Sequence, residues 1–252
     1  MSPLTRLGIF SLLVGALAAC AGPEAERARQ EAAQSHYEIG LGALAENNLK
    51  KAISEFQMAA GEDPNNPRNH HALGNAYLRN NQIDEAISSL RRAVELNPRL
   101  SDALNDLGAA YIRKESYDLA IDAFRRALAN PQYMNPERAY LNLGNIYFVR
   151  RQYDQAAEEF RKLLDLFPQS PDAHFFLGRT LLAQGKVAEA REQLEQAIKL
   201  AGDVPIFHLE LGIALLRSGD RVAARNSFQR AVDLNPAAPE AEEARRHLRQ
   251  LN

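Results

Sequence analysis

The sequence predicts an all-α solenoid of six helix-turn-helix repeats closed by a C-terminal capping helix, and three observations carry the prediction. Glycines at 40, 74, 108, 144, 178 and 212 follow one another at intervals of 34, 34, 36, 34 and 34 residues. A fixed period in this range is the mark of stacked supersecondary units. Each glycine also lies in an apolar stripe of helical spacing. His70, Leu73, Gly74 and Tyr77 recur at i, i+3, i+4 and i+7, and Ala86, Leu90 and Ala93 form a second stripe after a short turn. Finally, proline punctuates the joints at Asn66-Pro67, Asn135-Pro136, Ser170-Pro171, Val204-Pro205 and Ala238-Pro239. Asn66 suits a helix N-cap, and a following proline suits the first helical position.

The physical need behind the repeat is burial. Small residues such as Gly74 and Ala86 let two helices approach, while Leu73, Tyr77 and Leu90 fill the space between them. One hairpin cannot bury its apolar face alone, so neighbours must stack. Of the 252 residues, 25% are charged, which suits the outer surfaces of such an array. With 30 Lys and Arg against 32 Asp and Glu, the formal charge is -2, and no bias toward nucleic acid shows.

Residues 1–19 stand apart. Arg6 precedes an apolar run from Leu7 to Ala19 that ends in small residues, the pattern of a secretory signal peptide and too short for a stable transmembrane helix. The single cysteine, Cys20, follows directly in Leu17-Ala18-Ala19-Cys20. This stretch resembles the lipobox of bacterial lipoproteins. The resemblance implies a covalent lipid on the Cys20 thiol, three acyl chains in all, and a durable hold on a membrane. Ala21 rather than aspartate after the cysteine favours the outer membrane, with the repeats on its periplasmic face. Residues 20–32 are then the lipidated cysteine and a short polar tether, reaching at most about 40 Å if extended.

The repeats take the spans 33–66, 67–100, 101–136, 137–170, 171–204 and 205–238. In the first, Ser35 and Glu38 have the spacing of a capping box, and Gly40, Ala43, Ala52, Phe56 and Ala59 supply the packing positions. The third repeat is two residues longer, with the excess between Asn130 and Arg138. The fifth ends in Ala201-Gly202-Asp203 without the usual proline. Residues 239–252 follow as the capping helix, Ala241, Ala244, Leu248 and Leu251 making a narrow stripe among glutamates and arginines.

These residues resemble the tetratricopeptide repeat family, six copies over. The resemblance implies a right-handed solenoid whose first helices line a concave binding side. No Walker loop, nucleophile elbow, His-Glu-x-x-His or converging carboxylates occur. His36, His70, His174 and His208 share one repeat position on different hairpins, too far apart for the roughly 2 Å ligand distances of zinc. They read as packing residues, and the chain as non-catalytic, with no cofactor beyond the lipid on Cys20 and no small-molecule substrate.

What remains is recognition by the face beside the packing stripe of each first helix. Candidate partner-binding residues there are Tyr37, Leu41 and Leu44 in repeat one, His71, Asn75 and Leu78 in repeat two, Ile112 in repeat three, and Leu141 and Phe148 in repeat four. Repeats five and six place Phe175, Arg179, Leu182, Leu209, Ile213 and Leu216 at equivalent positions. Chaperone-cofactor members of the family grip a C-terminal carboxylate with Lys and Asn where Tyr37 and Leu41 stand, so that grip is not expected. An apolar groove suits the apolar side of an amphipathic helix.

A lipobox followed by six such repeats resembles the pilotin-type lipoproteins of type IV pilus biogenesis. Tyr133 to Gly144, Tyr-x-x-Pro-Glu-Arg-x-x-x-Asn-Leu-Gly, is similar to that family's inter-repeat linker, and the likeness is greatest to its Tgl-like myxobacterial branch. The resemblance implies an outer-membrane protein that helps the pilus secretin assemble by holding its monomers in the repeat groove. The alternative is a periplasmic scaffold for outer-membrane protein assembly, peptidoglycan enzymes or proteases.

Overall fold

The computed structural model describes residues 22–251; the signal peptide and Cys20 lie outside the described residues. Thirteen helices and no strand occur among the described residues. None of those helices is long and apolar enough to cross a membrane. They fall into two compact units, one ending at Ser116 and the other beginning at Tyr117. The first holds α1 (Pro23–Ala45), α2 (Leu49–Glu62), α3 (Pro67–Arg79), α4 (Ile83–Leu96) and α5 (Ser101–Arg113). The second holds α6 (Tyr117–Leu128), α7 (Pro136–Val149), α8 (Tyr153–Leu166), α9 (Pro171–Ala183), α10 (Val187–Leu200), α11 (Pro205–Arg217), α12 (Arg221–Leu234) and α13 (Pro239–Leu251). The division falls inside the third repeat.

Within each hairpin one large side chain seals the joint. Phe56, Leu90, Phe160, Leu194 and Phe228 are fully buried. Each lies against the glycine of the facing helix. A Cβ at Gly40 would stand 2.6 Å from the Phe56 ring, and one at Gly212 would stand 2.5 Å from Phe228. No side chain fits there without displacing a ring, which is why the glycine marks the period. Burial of these five side chains and of Ala52, Ala86, Ala156, Ala190 and Ala224 forms much of the core.

The joints follow the expected chemistry. Pro67, Pro136, Pro171, Pro205 and Pro239 each open a helix. Asn66 Oδ1 accepts from Arg68 N at 3.1 Å, and Ser170 Oγ accepts from Ala173 N at 3.4 Å. Each turn inside a hairpin needs one left-handed residue: Asn47, Asn81, Glu115, Arg151, Gly185 and Gly219 all have φ between 55° and 86°. Between α6 and α7 the connection is residues 129–135, against the four residues 63–66 or 167–170 elsewhere. The extra length of the third repeat therefore lies in this joint.

Two expectations change. Ser35 and Glu38 do not cap a helix: both lie inside α1, where Glu38 Oε1 accepts from Gln34 Nε2 at 2.8 Å. Residues 23–32 are also helical and continuous with α1 rather than an extended tether. Pro23 at the first position, acidic Glu24 and Glu26 in the first turn, and a following run of Ala, Arg, Gln and Glu all favour helix there.

Candidate functional site

The first helices of the first unit, α1, α3 and α5, carry seven of the candidate residues. Leu41 is 44% exposed, and Ile39 beside it 42%. Tyr37, Leu44, His71, Asn75, Leu78 and Ile112 are all half-buried, so each presents part of its surface. Tyr37 packs its ring 5.7 Å from Phe56, and the Arg68 guanidinium lies 5.8 Å over its other side. The tyrosine is thus rooted in the core and open at its rim.

Next along the face a polar node replaces apolar contact. Asp106 on α5 is buried, and its Oδ2 accepts from both His71 Nε2 and Asn75 Nδ2 at 3.0 Å. Because a carboxylate only accepts, His71 carries its proton on Nε2 there. The pairing joins α3 to α5 and leaves His71 and Asn75 committed to the fold as well as to the surface.

Arginines close the edge of the face. Arg113 Nη1 donates to Leu78 O at 2.8 Å, and Arg79 Nη2 reaches Leu44 O at 3.5 Å. In the second unit Arg217 Nη1 donates to Leu182 O at 2.8 Å. Each arginine sits five residues after its glycine and adds a second donor to a carbonyl at the end of the preceding first helix, which already accepts from Asn47 N, Asn81 N or Gly185 N at 3.1 Å.

The face of the second unit is built differently. Leu141 and Phe148 on α7 are half-buried, but the Arg179 guanidinium covers the Phe148 ring at 4.7 Å. Phe148 also meets Tyr153 edge-on at 5.5 Å. Further on, Phe175, Leu182 and Leu209 are only 2–5% exposed. Phe175 stacks on Phe207 at 4.8 Å. Arg179 Nε lies 3.6 Å from Glu210 Oε1. Burial pushes the Glu210 carboxyl up; Arg179 pulls it back down, and the like charge of Glu243 adds to the rise.

The four histidines of the shared repeat position are structural in this arrangement. His70, His174 and His208 each place Nε2 within 2.8–3.1 Å of a loop carbonyl six residues earlier, at Pro64, Pro168 and Gly202. His36 meets Glu55 at 2.8 Å. The first three pin joints between hairpins, and His36 ties the two helices of its own hairpin.

A family model of the tetratricopeptide repeat matches residues 24–67, 71–135, 141–205, 177–239 and 209–248. The chain belongs to the tetratricopeptide repeat family. Among solved structures, pilF of Pseudomonas aeruginosa is similar over 87% of this repeat protein and 99% of its own chain, at TM-score 0.74 and 23% identity. PilW, a widely conserved type IV pilus biogenesis factor, is similar over 84% and 97%, at TM-score 0.74 and 20% identity. YrrB, a tetratricopeptide repeat protein with an unusual peptide-binding site, is similar over 76% and 97%, at TM-score 0.62 and 22% identity. At these identities the likeness speaks to the fold. No curated protein matches the sequence.

Tetratricopeptide repeats present surfaces for protein–protein contact, and Leu41 is the most exposed of the candidate residues in the first unit. Sequence reasoning selected these residues and placed Arg68 and Arg179 on the same face, but did not find Asp106 or Glu210. Asp106 and Glu210 lie two residues before their glycines, one place off the face as counted from the sequence, and only the helix packing brings them to it.

Proposed function

We propose that this tetratricopeptide repeat protein is a lipid-anchored pilotin of the outer membrane, on its periplasmic face, that assists multimerisation of a type IV pilus secretin. The open apolar rim of α1, Tyr37 with Leu41 and Leu44, is the observation that carries the reading. It lies on the first helix after Cys20 in the chain and offers an apolar strip, with the Arg68 guanidinium over Tyr37, to the apolar side of an amphipathic segment. The lipobox sequence supports the anchor, and the shared fold with PilW supports the pilus context. Acylation concentrates the protein where secretin monomers must insert, and the strip holds them until neighbours arrive.

The double variant Leu41→Asp, Leu44→Asp tests this. It is expected to keep its helical content and acylation while heat-resistant secretin multimers fall at least tenfold on unboiled gels. Leu41→Lys alone, at the more exposed of the two sites, guards against misfolding from the half-buried Leu44. Multimers at the normal level in both variants, or capture of peptidoglycan enzymes or barrel-assembly proteins in place of secretin, would reject the assignment. Cys20→Gly tests the anchor separately: the protein should leave the membrane fraction.

A further inference from the structure

The opening turns of α1 stand clear of the packed hairpins. Residues 23–31 are exposed, Ala32 is half-buried, and Ala33 is the first buried residue of the helix. Yet Pro23–Ala45 is one uninterrupted helix of 23 residues. A free peptide of this length would be marginally helical, because nucleation is costly. Here the packed part supplies the nucleus, and each further residue only propagates it. The composition favours such propagation, since Glu24-Ala25-Glu26-Arg27-Ala28-Arg29-Gln30-Glu31-Ala32 contains no glycine, proline or β-branched residue. Runs of alanine with alternating charges behave as semi-rigid helical spacers of about 1.5 Å per residue.

We propose that residues 23–32 are a rigid strut that fixes the direction in which the Tyr37–Leu41–Leu44 strip faces relative to the acylated N-terminus. The inference rests on the lipid-anchor and recognition-strip reading above and goes beyond it. The same helix carries both ends of the device. Cys20 is three residues before Pro23, a span of about 10 Å at most. Leu41 follows Pro23 by 18 residues, about 27 Å along a single axis. A flexible tether would let the strip point anywhere. A helix does not, since each residue added to it turns everything beyond by about 100°. The strip therefore faces one way about the axis of the strut, which suits a partner that must itself enter the bilayer in a defined orientation.

Spin labels at Glu24→Cys and Glu46→Cys in the full-length acylated protein, held in lipid nanodiscs, measure the strut directly. The expected result is one narrow distance distribution centred near 33 Å, the rise of about 22 helical residues. A broad distribution extending well below that overturns the proposal. Three length-matched or phase-shifted variants then test its use. Replacing residues 24–31 by Gly-Ser repeats, or inserting two alanines after Ala28 (a turn of about 200°), should reduce secretin multimers at least tenfold. Inserting seven helix-forming residues, within about 20° of two full turns, should preserve them. A Gly-Ser variant at the normal level, or a two-residue insertion no worse than the seven-residue one, also overturns it. If Leu41→Asp, Leu44→Asp leaves multimers intact, the recognition strip has failed, and the label distance still judges the strut by itself.

Discussion

Tyr37 and Phe175 hold the same place in their repeats, three residues before the glycine, yet one is open at its rim and the other is 5% exposed. The difference lies 32 residues further on. After Phe175 comes Phe207, whose ring stacks on it at 4.8 Å and 27°. After Tyr37 comes Asn69, whose amide donates to Ala59 O at 3.0 Å, and it is the Arg68 guanidinium that lies over the tyrosine ring, at 5.8 Å. Leu44 and Leu182 repeat the contrast, half-buried against 4% exposed. A repeat position does not set its own exposure; the side chain that the next repeat sets against it does. The first unit thus keeps apolar surface open at these positions, while the second uses the equivalent residues to stack its hairpins.

Removing the closing ring should break the contrast most severely. Phe207→Ala deletes a buried ring and is expected to cost about 3–5 kcal/mol, read by chemical denaturation. Leu41→Ala, at the exposed strip, should stay within about 0.5 kcal/mol of the parent. If Phe207→Ala cost no more than Leu41→Ala, stacking would not be what closes the second face.

Arg179 offers a gentler opening. Its guanidinium covers Phe148 at 4.7 Å and lies 3.6 Å from Glu210. Arg179→Ala removes a partly exposed cation–π contact, so a loss of about 0.5–1 kcal/mol is expected. The bared Phe148 ring should bind an apolar dye that the parent does not. Unchanged dye binding would mean that Phe148 is covered by its Tyr153 neighbour alone.

These contrasts mark where sequence reading succeeds. Period, helix pairing and joints were legible, because Gly40, Gly74 and their equivalents obey a packing constraint local to one hairpin. The opening prolines and the Asn66 and Ser170 caps act within a few residues and were legible for the same reason. Exposure on the recognition face was not, because Phe207 closes Phe175, and Asp106 engages His71 and Asn75, across 31–35 residues. The continuous helix over residues 23–32, read from the sequence as a short polar tether, was missed differently. A charged run without an apolar stripe has no packing signature, and its helicity is inherited from the packed turns that follow.

The smallest expected effect concerns two acids of the faces, buried Asp106 and half-buried Glu210. Asp106 receives donors from His71 and Asn75. Glu210, with its side chain 15% exposed, makes no side-chain hydrogen bond among the described residues, and Arg179 stands 3.6 Å away. Burial therefore raises the Glu210 carboxyl above its ordinary 4.5, with Glu243 assisting and Arg179 and Arg217 opposing. A carboxyl raised in the folded state binds its proton more tightly there than in the unfolded chain. Its contribution to stability is fully present below 4.5 and is lost as pH climbs through the raised folded value. Glutamine is neutral throughout, so Glu210→Gln should melt above the parent at pH 7, and the gap should close below pH 4.5. Asp106→Asn should do the reverse at neutral pH, because it removes the negative acceptor that two donors share. Melting curves in which both substitutions shift Tm in the same direction would show that the two carboxylates are not held in opposite circumstances.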